Sequence, residues 1–263
     1  MSVALPQFKR PPINEVAIGV RFEAIDGLHQ AHFGLFWADL RAEFDKSQEA
    51  APLPPLKRDT IDLELGLPPR TWLVHMDGEH LLQLQRDAFF FNWRRAGEES
   101  PYPRYSTIKP KFCDYFDQYL AFLKREELAV PTGFNCSLAY VNLIPDESNE
   151  SVPSWFSHVF SDVGWQATPK RYLPNPKGVL YKANFALADD LGELVTTIQS
   201  VKRRSDDLPA FRFEINAVNQ RSDLSLADSH VWFDAAHEVI VQAFADLTSE
   251  EAQLHVWKRT DRS

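Results

Sequence analysis

Between Thr71 and Tyr105 short apolar runs alternate with residues that reverse the chain: Trp72 to Met76, then Asp77-Gly78, then His80 to Gln85. Asp-Gly tolerates the positive φ of a tight two-residue turn, so the runs on either side pair antiparallel. Asp87-Ala88 offers a second reversal before Phe89 to Arg94, which completes a three-strand meander. A chain carrying such a meander is held to antiparallel sheet in this region, because parallel neighbours need long crossovers.

The flanking segments extend the pattern. Val16 to Phe22 is rich in branched residues and reads as a strand. Phe33, Phe36, Trp37, Leu40 and Phe44 recur at three- and four-residue spacing, predicting a helix within 28–44. Residues 46–70 hold five prolines and read as a loop with a short strand at Ile61 to Leu65. A helix is expected over Ile108 to Leu128, with Phe112, Tyr115, Phe116, Tyr119, Leu120 and Leu123 on one side. A strand follows from Phe134 to Ile144.

The acidic stretch Asp146 to Pro153 is the expected boundary between an N-terminal half, 1–145, and a C-terminal half, 146–263, although one continuous domain is the alternative. The second half predicts a short helix near Trp155 to Phe160, and strands at Leu180 to Ala188, Gly192 to Arg203 and Ala210 to Asn219. Asp228 is the expected cap of a long helix carrying Trp232, Ala236, Val239, Ile240, Ala243 and Phe244. Thr248 to Glu251 matches a capping box ahead of Leu254 and Trp257. Strands grouped in meanders give an α+β class. Each half combines antiparallel strands with an amphipathic helix, and Arg-Phe-Glu occurs in a strand of both, at residues 21–23 and 212–214, which allows a weak internal duplication.

With 263 residues, 44% of them hydrophobic, the chain has ample material for a core. Its net charge of -9 repels phosphate backbones and anionic membranes on average, so nucleic-acid binding would need a local basic patch. Cys113 and Cys136 lie far apart and read as reduced thiols. There is no signal-peptide pattern at the start and no apolar run of spanning length, so a cytoplasmic location is expected.

No local motif for catalysis stands out. The chain lacks a Gly-x-Ser-x-Gly elbow and a phosphate-binding Gly-x-x-x-x-Gly-Lys loop, and His237-Glu238 lacks the second histidine of a zinc-protease helix. His75, Asp77, Glu79 and His80 are ligand types that suit zinc or iron, but their place around a turn glycine reads as solvated turn chemistry. His29 with His32, and His230 with His237, have helical spacing without a partner ligand. Neither a metal nor another cofactor is therefore expected. An enzyme whose site is assembled in space remains an alternative, with His237, Glu238, Tyr140 and Asn142 as its members.

The run Phe89 to Arg95 followed by Tyr102 to Tyr105 concentrates rings, guanidinium groups and an amide. Along a strand Phe89, Phe91 and Trp93 share one face, a core face, while Phe90, Asn92 and Arg94 share the other. With Arg95, Arg104, Lys109 and Lys111 that second face suits recognition. In the opposing reading Arg94 and Arg104 pair with carboxylates such as Glu98, Glu99 or Asp117 and staple helix to sheet. Lys202-Arg203-Arg204 followed by Asp206-Asp207 reads as a solvated hairpin end.

Pro11-Pro12-Ile13, Phe91-Asn92-Trp93-Arg94, Tyr102-Pro103-Arg104-Tyr105, Tyr140-Val141-Asn142 and the terminal segment from Ala236 through Phe244, Thr248 and Trp257 resemble a sporadically distributed, uncharacterised family of prokaryotic proteins of about this length. The resemblance spans essentially the whole chain. It implies a stand-alone cytoplasmic protein, in keeping with mobile or defence-related gene neighbourhoods, and no established activity.

The expectation is thus a non-enzymatic α+β protein that binds a macromolecule, foremost a protein partner, through Asn92, Arg94, Tyr102, Arg104 and Tyr105. Single-stranded nucleic acid is the alternative occupant of the Asn92, Arg94 and Arg104 surface.

Overall fold

The computed structural model describes residues 5–54, 69–97, 100–146, 151–164 and 172–261. These form nine strands, four α-helices and one π-helical turn, which is the mixed α+β class the strand pattern implies. In chain order they are β1 (Ile13–Arg21), α1 (Gln30–Leu40), β2 (Lys46–Ala50), β3 (Arg70–Val74), β4 (His80–Gln85), β5 (Ala88–Arg94), α2 (Tyr105–Arg125) and β6 (Asn135–Pro145). Then come α3 (Val152–Val159), β7 (Leu180–Leu187), β8 (Gly192–Lys202), β9 (Pro209–Val218), α4 (Leu226–Leu247) and the π-helical turn Ala252–Val256.

The chain divides into two compact units, and they are not consecutive halves. One comprises Glu15–Leu138 with Asn219–Phe233; the other comprises Met1–Asn14, Ala139–Val218 and Asp234–Ser263. Unit limits fall inside β6 and α4, where unbroken periodicity offers no sign of a boundary. Of the acidic stretch expected to divide the chain, residues 147–150 lie outside the described residues, as does the short strand expected at 61–65.

In the first unit the strands are ordered β2-β3-β4-β5-β1, all antiparallel. Asp77-Gly78 turns β3 into β4, with Gly78 at φ 72, as the turn residues require. Phe89, Phe91 and Trp93 of β5 are fully buried beside Leu82 and Leu84 of β4 and Val16, Ile18 and Val20 of β1. Helices α1 and α2 supply the rings that meet this face: Phe89 lies 5.2 Å from Phe116 and 5.1 Å from Tyr119, and Phe36 lies 5.2 Å from Phe122. Burying such rings contributes roughly 1.5–3 kcal/mol each. Strand β2 lies in the segment whose prolines predict a loop, and its Lys46, Ser47, Gln48 and Glu49 carry no apolar alternation. It is a polar edge strand that exists through its ladder with β3, and charged edges of this kind resist further pairing.

In the second unit β7, β8 and β9 form an antiparallel ladder with a continuous β8–β9 register from Glu193↔Val218 to Lys202↔Pro209. Helix α3 covers it at Phe211, which stacks on Trp155 at 3.6 Å. The β8–β9 turn carries the Arg203–Asp206 ion pair, the solvated hairpin end expected there. The Arg-Phe-Glu tripeptides hold different strand positions. Arg21 ends β1 and pairs with Asp87, whereas Arg212 lies within β9 and pairs with Glu214 at 2.6 Å.

Two expected helix caps are displaced. The hydroxyl of Ser225, not the Asp228 carboxylate, accepts the Asp228 amide at 3.1 Å and donates to that carboxylate at 2.7 Å, so Ser225 caps α4 and Asp228 holds the capping hydroxyl. At the last turn Ser249 accepts the Ala252 amide at 3.2 Å, while the Thr248 hydroxyl donates back to the Phe244 carbonyl at 2.6 Å. Leu254 stays partly exposed there and Trp257 is buried.

A close approach inside the first sheet is testable. Gly19 lies opposite Phe90, and a Cβ at Gly19 would meet the Phe90 ring at 2.3 Å and the Phe89 carbonyl oxygen at 2.6 Å. Because one obstacle is backbone, the ring cannot yield alone. Gly19→Ala should destabilise the chain by about 2 kcal/mol in denaturant titrations, and unchanged stability would refute the contact.

Candidate functional site

The pairing registers assign the faces of the first sheet. Opposite the helices lie Glu15, Ala17 and Gly19 of β1, Phe90, Asn92 and Arg94 of β5, Gln83 of β4, and Arg70 and Trp72 of β3. Asn92 is only 2% exposed, donates to Glu15 at 2.5 Å and accepts from Gln83. This corrects the expectation that Asn92 offers its amide to a partner, because the amide is spent inside the sheet.

Arg94 is a surface group. Its Nε donates to Glu15 at 3.1 Å and its guanidinium covers Trp72 at 4.7 Å. Arg70 lies over the same ring at 5.5 Å, so two guanidinium groups flank one indole. Burial lowers the Arg70 pKa, and the positive charge of Arg94 lowers it further, with Glu15 opposing. Trp72 Nε1, Arg70 Nε and Gln83 Oε1 are buried and have no hydrogen-bond partner among the described residues. Arg94 does pair with a carboxylate, as the stapling alternative has it, but the carboxylate is Glu15; Glu98 and Glu99 lie outside the described residues.

The remaining predicted site residues group on the other side of β5. Tyr102 packs 5.6 Å from Trp93, Arg104 lies 5.8 Å from the Tyr102 ring, and Arg95 lies 5.9 Å from the Trp93 ring. Tyr105 begins α2, and Arg104 precedes it at φ 70, ψ 153, a conformation that glycine alone adopts without strain. The single patch expected from sequence is therefore two groups, because residues 92 and 94 face away from residue 93.

The hairpin residues also differ from solvated turn chemistry. His80 is 8% exposed, stacked on Phe91 at 5.5 Å, and shares Asp77 with His75. One ligand atom from each of His75, Asp77 and His80 lies within 4.8 Å of the others. Burial works against the Asp77 carboxylate, yet bonds from the His80 ring and the Glu79 and His80 amides hold its pKa at about 2. Burial lowers the His80 pKa against the pull of Asp77, so its ring is neutral. Such a donor set suits zinc or iron.

In the second unit Tyr140 and His237 meet, with the hydroxyl 2.9 Å from Nδ1. Burial depresses the His237 pKa to about 4 despite the nearby Asp234 carboxylate. Asn142 donates to the Phe213 carbonyl at 3.2 Å. Glu238 lines a different space, a groove of about 730 Å³ bordered by Phe185, Leu194, Val239, Ala243 and Asp246. Of the four residues named for an assembled enzyme site, two touch, one is bound to backbone and one faces this groove.

Folding places Cys113 Sγ 3.5 Å from His230 Nδ1, yet burial raises both thiol pKa values, that of Cys136 to about 12, so both are protonated at neutral pH. His32 bonds the His29 amide at 3.1 Å and serves the start of α1. No helix among the described residues is long and apolar enough to cross a membrane.

Two outcomes follow from these environments. His237 is neutral when folded and protonates near pH 6.5 when unfolded, so the unfolded state binds more protons between about pH 6.5 and 4 and stability falls as pH drops through that window. The loss approaches about 3 kcal/mol near pH 4 in denaturant titrations and should be absent from that residue's share in His237→Gln. Arg104→Gly should stabilise by about 1 kcal/mol by relieving strained backbone, and a lower midpoint would contradict that conformation.

No protein-family model matches the chain, and no curated protein matches it significantly.

Proposed function

We propose that this chain is a cytoplasmic, non-enzymatic binding protein that captures an acidic segment of a protein partner on the outward face of β3, β4 and β5. The observation that carries this reading is Trp72 flanked by the guanidinium groups of Arg70 and Arg94, with Glu15 as the carboxylate bound to Arg94. Two cations beside one anion leave local positive charge on a chain of net charge -9. Trp and Arg carry much of the binding energy at interfaces. Tyr102, Arg104 and Tyr105, on the other side of β5, would form a second contact group at the start of α2.

The stacked rings and guanidinium groups also suit single-stranded nucleic acid, which is the second reading. Capture from host lysate, divided into nuclease-treated and untreated halves, separates the two. A protein retained by the parent chain after nuclease, and lost from an Arg70→Ala/Arg94→Ala variant of unchanged circular dichroism, is the expected result. Retention by that folded variant would refute the proposed surface. Material lost with nuclease, with affinity falling steeply as salt rises, would favour nucleic acid. An Arg104→Ala variant measured alongside tells whether the second group contributes.

A further inference from the structure

We infer that His75, Asp77 and His80 form a three-ligand site for a divalent transition metal, with zinc as the practical probe. The spacing His-x-Asp-x-x-His spans one tight turn, and the β3–β4 ladder fixes both ends of it. His75 Nδ1 stands 3.0 Å from Asp77 Oδ1, and His80 Nδ1 stands 2.6 Å from Asp77 Oδ2.

An Asp turn alone explains part of this arrangement, since Asp77 Oδ1 accepts the Glu79 amide at 2.8 Å and the His80 amide at 3.1 Å. It does not explain His75. That Nδ1 accepts the Asp77 amide at 3.2 Å, so its lone pair is directed into the turn, yet it also faces a carboxylate oxygen. Either a hydrogen on Nδ1 donated to that oxygen or a metal ion bound by both atoms satisfies the pair. Tetrahedral zinc with bonds of about 2.0–2.1 Å wants ligand atoms roughly 3.3 Å apart, and the three side chains offer ligand atoms within 4.8 Å of one another.

The imidazoles are held by packing. His75 meets Phe44 edge-on at 5.2 Å and His80 at 5.6 Å, and His80 stacks on Phe91. Glu43 fixes the turn through its carbonyl, which accepts the Met76 amide at 2.9 Å, and its carboxylate accepts the Tyr115 hydroxyl at 2.7 Å. Asp77, Glu43 and Glu79 surround the turn with negative charge. Lys111 opposes it, with Nζ 3.2 Å from His80 Nε2.

Lys111 supplies the discriminating feature. Without metal, His80 Nδ1–H donates to Asp77 and Nε2 accepts from Lys111. A metal at Nδ1 takes the place of that proton, which moves to Nε2, and the Lys111 ammonium must turn away to solvent. Removing Lys111 should therefore tighten binding, which adventitious surface binding would not show. Three protein ligands leave a fourth position for water, the pattern of an open site.

The test is calorimetric titration of the tag-free, chelator-treated full chain with Zn2+, with the Co2+ visible spectrum reporting geometry. Expected are one ion per chain, a tetrahedral Co2+ band, binding weakened about tenfold or more in His75→Gln and His80→Gln, and tighter binding in Lys111→Met. Circular dichroism checks that each variant is folded, and His75→Gln, at a half-exposed position, keeps the test open if His80→Gln fails to fold. Absence of stoichiometric binding, or binding that survives unchanged in folded His75→Gln, would overturn the site.

Discussion

Strand β5 is buried on its helix face and only partly covered on the other, and each face is satisfied differently. Toward the helices it presents Phe89 and Phe91, which meet rings of α2, and Trp93, which meets Tyr102, and these supply the apolar burial that drives folding. Toward the opposite side it presents Phe90 laid across Gly19, and Asn92 held between Gln83 and Glu15. A shift of register by one residue would put Asn92 among the rings and Trp93 among the amides, so the pairing is strongly specified.

The chemistry available to the molecule follows from that division. On the outward face, the Gln83 amide donates to Asn92, the Asn92 amide donates to Glu15, and Glu15 in turn positions Arg94 over Trp72, so Asn92 acts through the arrangement of its neighbours. On the helix face, stacking on Phe91 fixes the His80 ring against Asp77. One strand thus orients a cationic aromatic surface on one side and a histidine–carboxylate cluster on the other. In the other unit the Tyr140–His237 contact is a partly buried polar pair, separate from the groove that Glu238 lines.

Much of this was legible as pattern. The Asp77-Gly78 turn, the alternation from Phe89 to Trp93, and the ring spacing of α2 each record a local rule, and each element formed within a few residues of its expected limits. Strand β2 and the Ser225 cap were missed for one reason: both depend on what a neighbour offers. Lys46 to Ala50 has no strand signal until β3 pairs with it, and Ser225 competes with Asp228 through a geometry that composition does not record.

The candidate sites were legible as residue types and not as arrangements. Alternation correctly separated the two faces of β5, but Arg70 and Trp72 were not connected with Arg94, since a strand intervenes between them in the sheet. His75, Asp77 and His80 were visible as ligand types, and their convergence required the turn to close. Sequence by itself determined the α+β class, the meander and the two-faced character of β5, because these rest on periods of two and about 3.6 residues and on backbone freedom at turns. Tertiary structure alone decided that Asn92 is buried, that two arginines share one indole, and that Cys113 and Tyr140 each meet a histidine, because those contacts join residues that only the folded chain brings within a few ångströms.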